Sequence, residues 1–273
     1  MSVPKTTYLI PVGTADVPRM HAMNDIFDND SLNWTLPDHL FENAIKMLDV
    51  GCGNGALTIK FATKLGKRGE IVAIDRSKEQ IDVARESAKK NGITNITWIV
   101  KDAYQLDELL DEYKEGFNIV HCRFLLNHLR KPAEVVNKMA SVLSGEGLLV
   151  MEELKGHYYQ CLPSEPLCMK VWRWIIALEH IIQGSNLSTG SHLAEMVENL
   201  GMTKVEISEP NPKAASEGQK AVFPLSLSNF KIYIPSFFHF IINPWISALQ
   251  RMQKNPNYSV TFVNFIQVKA VKH

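Results

Sequence analysis

Between residues 46 and 153 the chain alternates short apolar runs with amphipathic stretches, and no other feature restricts its fold as much. Strands that recur with helices between them form a parallel sheet covered by those helices, because parallel neighbours need a crossover long enough to hold one. "KMLDV", "EIVAID", "NITWIV", "FNIVHC" and "GLLVMEE" read as five strands. The helix from Gly55 to Leu65 is expected to turn Leu57, Ile59, Phe61 and Leu65 inward, and the next to bury Ile81, Ala84 and Ala88. Ser77 with Gln80 reads as a capping box, and Asn91-Gly92 as a helix stop. Pro132 opens a helix through Val135, Val136, Met139 and Val142 that is expected to stop at Gly145.

Outside this block the patterning changes. A helix is expected around Arg19 to Phe27, a helical stretch from about 165 to 200, and two end strands in "TKVEIS" and "SVTFVNFIQVKAV". Residues 230–249 are apolar enough to suggest a membrane span, but Lys231, Pro235, His239 and Pro244 interrupt them, which leaves a buried or pocket-lining segment or, as the lesser alternative, peripheral membrane contact. Phe237, Phe238 and Phe240 cannot all face one core side, so this run either inserts between cap and core or lines an apolar site. Trp172 and Trp174 fall on different faces of one helix and are read by default as core.

Composition excludes several classes. With 273 residues, 45% hydrophobic, the chain can bury a sizeable core. Its 29 basic and 29 acidic residues cancel, so no nucleic-acid partner is expected. "MSVPKTTYLIPVG" lacks the order of a secretory signal, which gives a cytoplasmic expectation. Cys52, Cys122, Cys161 and Cys168 form no Cys-x-x-Cys pair with matching histidines, so reduced thiols and no metal are expected.

The segment "MLDVGCGNGALTIKFA", residues 47 to 62, places glycines at 51, 53 and 55 between the first strand and its helix. Without Cβ atoms such a turn is tight and lets a ligand approach, while the helix N-terminus aims its amides at it. "GCGNGA" also satisfies the dinucleotide pattern, with Asp75 at the spacing of a ribose-binding acid. Asp49 favours another ligand, since a carboxylate there repels a pyrophosphate and suits an ammonium or sulfonium. Alternatively, Asp49 is a strand-end acid that only bonds loop amides.

These residues resemble the class I S-adenosylmethionine-dependent methyltransferases. "LDVGCGNG" matches that family's first motif, "VAIDRS" resembles the second, "VKDAYQL" the third and "FNIVHCRFLLNHL" the fourth. Within the family, "RFLLNHL" is most similar to bacterial small-molecule enzymes of the methyltransferase-domain 11/25 type, which include quinone-pathway C-methyltransferases. The resemblance implies a Rossmann-like α/β fold, doubly wound, with a mixed seven-stranded sheet whose last strand is antiparallel, and a mostly helical cap from the N- and C-terminal segments. Residues 1–45 would be a helical lid, 46–155 and 200–273 the cofactor-binding core, and 156–199 and 210–257 the cap and acceptor-site insertions.

It implies S-adenosyl-L-methionine as cofactor, with Asp75 on the ribose hydroxyls, Arg76 flanking the adenine, Asp102 accepting from its amino group and the Ala103 amide on its ring. Tyr8 and Arg19 would reach the cofactor's carboxylate end, and Asp49, Gly51, Cys52, Gly53, Gly55, Cys122 and Arg123 complete the implied binding set. The family's fourth strand commonly opens Phe-Asp; Phe117-Asn118 departs from that at a position that usually supports the fold.

The methyl acceptor is expected to be a small, apolar or aromatic molecule; a homodimer is compatible with this reading. His128 is the leading candidate base, against a packing role through an interhelical hydrogen bond. Glu152 and Glu153 end the fifth strand, where they meet the acceptor or simply cap a loop. "HYY" at 157 to 159 walls the pocket or packs. Two alternatives stand beside methyl transfer: an NAD(P)-dependent oxidoreductase and a non-catalytic cofactor-binding interaction protein.

Overall fold

The computed structural model describes residues 13–37, 44–156 and 159–273; Tyr8, His157 and Tyr158 lie outside the described residues. The first half runs α1 (Val17–Thr35), β1 (Ile45–Val50), α2 (Ala56–Leu65), β2 (Gly69–Asp75), α3 (Lys78–Lys90), β3 (Ile96–Val100), β4 (Phe117–Arg123), α4 (Pro132–Ser141) and β5 (Leu143–Leu154). It continues through β6 (Gln160–Leu162), α5 (Leu167–Gln183), α6 (Leu193–Asn199), β7 (Thr203–Ser208), β8 (Lys213–Ala214) and α7 (Glu217–Lys220). Helices α8 (Val222–Lys231) and α9 (His239–Lys254) precede β9 (Ser259–Thr261) and β10 (Phe265–Val271).

Seven strands form one mixed sheet in the order β3-β2-β1-β4-β5-β10-β7. Strands β1 to β5 are parallel, and β10 runs antiparallel between β5 and β7. The order reverses between β1 and β4, and at such a switch point a crevice opens at the strands' carboxyl ends. Both sheet faces are covered, which is why the central strands read as nearly continuous apolar runs. Leu48, Val72, Val120 and Leu149 pack on one side with Val135, Val136 and Met139 of α4. Met47, Ile71, Ile119 and Val150 pack on the other with Leu57, Phe61 and Leu65 of α2. Asn118 supports this framework, its Oδ1 accepting from the Lys46 amide at 2.8 Å.

Several local expectations need correction. In α2 the buried face includes Thr58 and Ala62, and Ile59 sits at its half-buried edge. Ser77 caps α3 by accepting from the Gln80 amide, but the Gln80 side chain turns to the Met20 sulfur at 3.6 Å, so the reciprocal half of a capping box is not made. Helix α4 ends at Ser141 with Val142 as its C-cap, before Gly145, because Leu143 already pairs with Phe117 in the sheet. The run "SVTFVNFIQVKAV" is two strands: β9 joins β6 and β8 in a separate three-stranded antiparallel sheet, and β10 enters the main one.

Helices α1, α5, α8 and α9 share an aromatic core with that small sheet. The Phe27 ring lies 4.9 Å from those of both Phe262 and Phe265, and Trp172 meets Phe223 edge-on at 5.1 Å. Trp174, two residues on and therefore on the opposite side of α5, is 74% exposed, so only Trp172 is core. Residues 230–249 straddle the end of α8 and the start of α9. Phe237, Phe238 and Phe240 are exposed, so they neither insert nor line a site. Among the described residues no helix is long and apolar enough to cross a membrane.

Candidate active site

The glycine turn leaves β1 and folds back on β2, with the amides of Gly51 and Cys52 both donating to the Ile74 carbonyl at 2.8 and 2.9 Å. Gly51, Gly53 and Gly55 have φ of +73°, +55° and +74°, the left-handed region that side chains disfavour. A Cβ at Gly55 would lie 2.5 Å from the Trp98 ring and 2.7 Å from Ala84, and one at Gly53 would lie 2.6 Å from the Met20 methyl of α1. Met20 therefore covers the turn, a contact that residue spacing did not suggest.

Asp75 ends β2 and braces this turn. Its Oδ2 accepts from the Gly53 amide at 3.0 Å and its Oδ1 from the Ser77 amide at 2.8 Å. Burial raises its pKa against the pull of those two amides. Asp102 lies two residues beyond β3, its Oδ1 accepting from the Tyr104 amide at 3.0 Å. Arg76 is exposed beside Asp75, and the Ala103 side chain packs in the core. Three strand ends thus bring backbone groups and two carboxylates to one rim, and ionised carboxylates keep further lone pairs for ligand hydroxyl or amino groups.

Asp49, Cys122 and Arg123 are placed differently from the direct contacts expected of them. Asp49 is buried, its Oδ1 bonded to His121 Nδ1 at 2.8 Å and its Oδ2 accepting from the Thr58 hydroxyl at 2.5 Å. The other His121 nitrogen meets Glu152 Oε1 at 3.0 Å. Burial alone would depress the His121 pKa, but hydrogen bonds and charges from Asp49 and Glu152 outweigh it and raise it to about 9. An imidazolium donating from both nitrogens bridges two buried carboxylates.

Glu152 Oε2 also accepts from Ser31 and Gln267. Arg123 donates to Ser31, Asn24 and Asp28, which follow one stripe of α1. Lys60 pairs with Asp28 at 2.7 Å. This network ties α1 to the sheet and uses Arg123 and Glu152 for it. Cys122 has its side chain in the sheet core. Glu153 caps the loop after β4, accepting from the Leu126 amide at 2.6 Å.

Beyond the rim, α1, the end of β4, α5 and α8 enclose a cavity of about 130 Å³. An engineered apolar cavity of roughly 150 Å³ holds benzene, so one aromatic ring is the natural scale. Its wall is mainly Phe27, Phe124, Tyr159, Trp172, Phe223 and Phe230. A polar corner is formed by Arg19, His128, Glu179, His180 and Asn229. Arg19 binds Asp16 through two bonds of 2.7 and 2.6 Å.

His128 stacks on His180 at 5.2 Å. Burial, then the neighbouring His180 and the charges of Arg19 and Arg76, push its pKa down to about 3. Glu179 is 4% exposed and takes a bond from Gln183 at 2.9 Å. Burial raises its pKa to about 7, with Arg19 and Gln183 opposing and Asp16 adding to the rise. The sequence gives one signal for Glu179: it is the sole acid of α5.

Comparison with known proteins agrees with this geometry. A family model described as a methyltransferase domain matches residues 41–201. The ubiquinone biosynthesis O-methyltransferase of Aliivibrio fischeri is 34% identical over 127 residues, 45% of this chain and 51% of that protein. The chain spans about half the length of the curated relatives it matches. The Bacillus subtilis YcgJ protein superposes with a TM-score of 0.57 at 18% identity, covering 90% of this chain and 99% of that one. Haemonchus contortus phosphoethanolamine N-methyltransferase 2, in complex with phosphomonomethylethanolamine and S-adenosylhomocysteine, superposes at 0.56 and 17% identity, covering 95% and 57%.

Proposed function

This chain belongs to the methyltransferase-domain family, whose methyl donor is S-adenosylmethionine, and from that premise we propose that it methylates a small, apolar or aromatic acceptor held under the cap. The observation that carries the acceptor class is the aromatic cavity with its single polar corner, lined by Arg19 of α1, whose neighbour Met20 covers the glycine turn. A nicotinamide cofactor does not follow from this family.

In this reading Gly51, Gly53 and Gly55 let the donor approach the backbone, Asp75 accepts from its ribose hydroxyls, and Asp102 with the Ala103 amide and Arg76 frames its adenine. Arg19 approaches the donor's carboxylate end, a role the family likeness also gives to Tyr8. Asp49 contributes its charge from below the turn, shared with His121. When bound, S-adenosylmethionine supplies an electrophilic methyl carbon and departs as a neutral thioether. The cap residues hold the acceptor's nucleophilic atom in line with that carbon and keep water away.

Glu179 takes the proton that an attacking hydroxyl, amine or acidic carbon releases, since a carboxyl titrating near 7 is matched to proton transfer at neutral pH. His128, near 3, stays neutral there and serves as a hydrogen-bonding group in place of the base. Incubation with methyl-labelled donor and two acceptor panels tests the reading. Label is expected in apolar phenols and related aromatics; label confined to small hydrophilic amines or acids would exclude the proposed acceptor class.

A further inference from the structure

The cap's inner face walls the cavity, and its outer face is apolar as well. On α5, Trp174, Leu178, Ile181 and Ile182 share one helical face and are between 51% and 74% exposed. On the connection from α8 to α9 and the first turn of α9, Ile232, Phe237 and Phe240 are between 65% and 72% exposed. Exposed apolar side chains in such number mark a contact surface. The two groups adjoin: α5 packs against both α8 and α9, and Ile234 of the connection joins the same apolar cluster as Ile175 and Ile176 of α5.

Charge distinguishes the partner. The whole chain is neutral, yet after Glu217 it contains no Asp or Glu; Lys231 lies at the start of the apolar connection, and Arg251 and Lys254 lie in the last turn of α9. On α5 the sole acid, Glu179, is buried, and Lys170 is exposed. A groove of about 520 Å³ between α8 and α9 adds Ser228, Lys231, His239 and Asn243, with Lys231 Nζ donating to Asn243 at 2.7 Å. Aromatic and aliphatic side chains rimmed by cations match an anionic bilayer interface. Two copies of the same face would instead bring like charges together.

We propose that the outer face of α5 and the α8–α9 connection dock on an anionic lipid bilayer, with Trp174, Phe237 and Phe240 entering the interface. The docking stands on the surface alone; that the acceptor enters the cavity from the lipid rests additionally on the proposed function.

Co-sedimentation of the full chain with phosphatidylcholine vesicles, with and without phosphatidylglycerol, tests the docking and needs no acceptor. Strong binding to the mixed vesicles, weakened by salt and poor with phosphatidylcholine alone, is expected. The Phe237→Ser/Phe240→Ser pair should weaken it at least about tenfold while S-adenosylhomocysteine binding is kept. Trp174→Ser gives a second, independent loss on α5. Failure to sediment with mixed vesicles would overturn the proposal. So would a dimer in light scattering that the same substitutions dissociate, because a second copy would then cover the face.

Discussion

At the strand ends the rim proposed to face the donor is backbone, held by left-handed glycines and by carboxylates bonded to amides, whereas the cap's cavity is walled by side chains, mostly aromatic. The sheet side also rests on buried charge, with His121 between Asp49 and Glu152, and the cap side on ring contacts such as Trp172 with Phe223. We propose that the contrast separates the two ligands. A rim set by torsion angles and strand ends suits one invariant donor, while a wall of rings and one acid can change its acceptor by changing a few side chains.

The largest expected effect breaks the buried charge. His121→Ala removes the cation between Asp49 and Glu152 and should cost about 3–5 kcal/mol in denaturant unfolding. A loss below about 1 kcal/mol would show that the sheet side does not depend on this bridge. The parent protein carries a pH signature of it. His121 titrates near 9 when folded against an ordinary 6.5, so its contribution is complete below 6.5 and is lost as pH rises through about 9. Glu153, raised by burial to about 8, acts in the same direction. Stability that climbs across this window would contradict the bridge.

On the cap side, Glu179→Gln should lower kcat roughly 10²-fold with donor affinity unchanged. The parent's rate should rise with pH through about 7, as the carboxylate forms, and the variant's should not. An unaltered profile would leave the cap's polar corner a binding feature only. Asp75→Ala makes the converse test, weakening the donor by about 1.5–3 kcal/mol for each charge-assisted bond lost, read by calorimetry. Equal donor affinity in that variant would remove Asp75 from the ribose.

A smaller effect separates torsion from contact. Gly53→Ala should weaken donor binding by about 1–2 kcal/mol through its positive φ. Met20→Ala in the same background relieves the contact above the turn but leaves the torsional cost. Full recovery in the double variant would mean that crowding by α1, and not backbone conformation, sets the requirement for glycine.

The same contrast explains what could be read from the residues. The parallel strands and the glycine turn depend on local patterns, apolar runs and short spacings, so "KMLDV" and Gly51 to Gly55 declare themselves. Asn24, Asp28 and Ser31 look like a solvated stripe of α1 and are buried only because Arg123, about 95 residues later, lies beneath them. The His121 bridge likewise joins positions 72 and 31 residues apart. In "SVTFVNFIQVKAV" period-two alternation continues across a boundary where the chain changes sheets, which apolarity does not mark. Phe237 and Phe240 break the rule that apolar means inside, and Glu179 is distinguished by its surroundings in three dimensions.

The most direct measurement is a crystal structure with S-adenosylhomocysteine bound, located by its sulfur. The ribose is expected on Asp75, the adenine beside Asp102, and the sulfur opening onto the cavity between His128 and Trp172. A sulfur directed away from that cavity, with Phe27, Trp172 and Phe223 facing no part of the donor, would contradict the assignment of the cap to the acceptor.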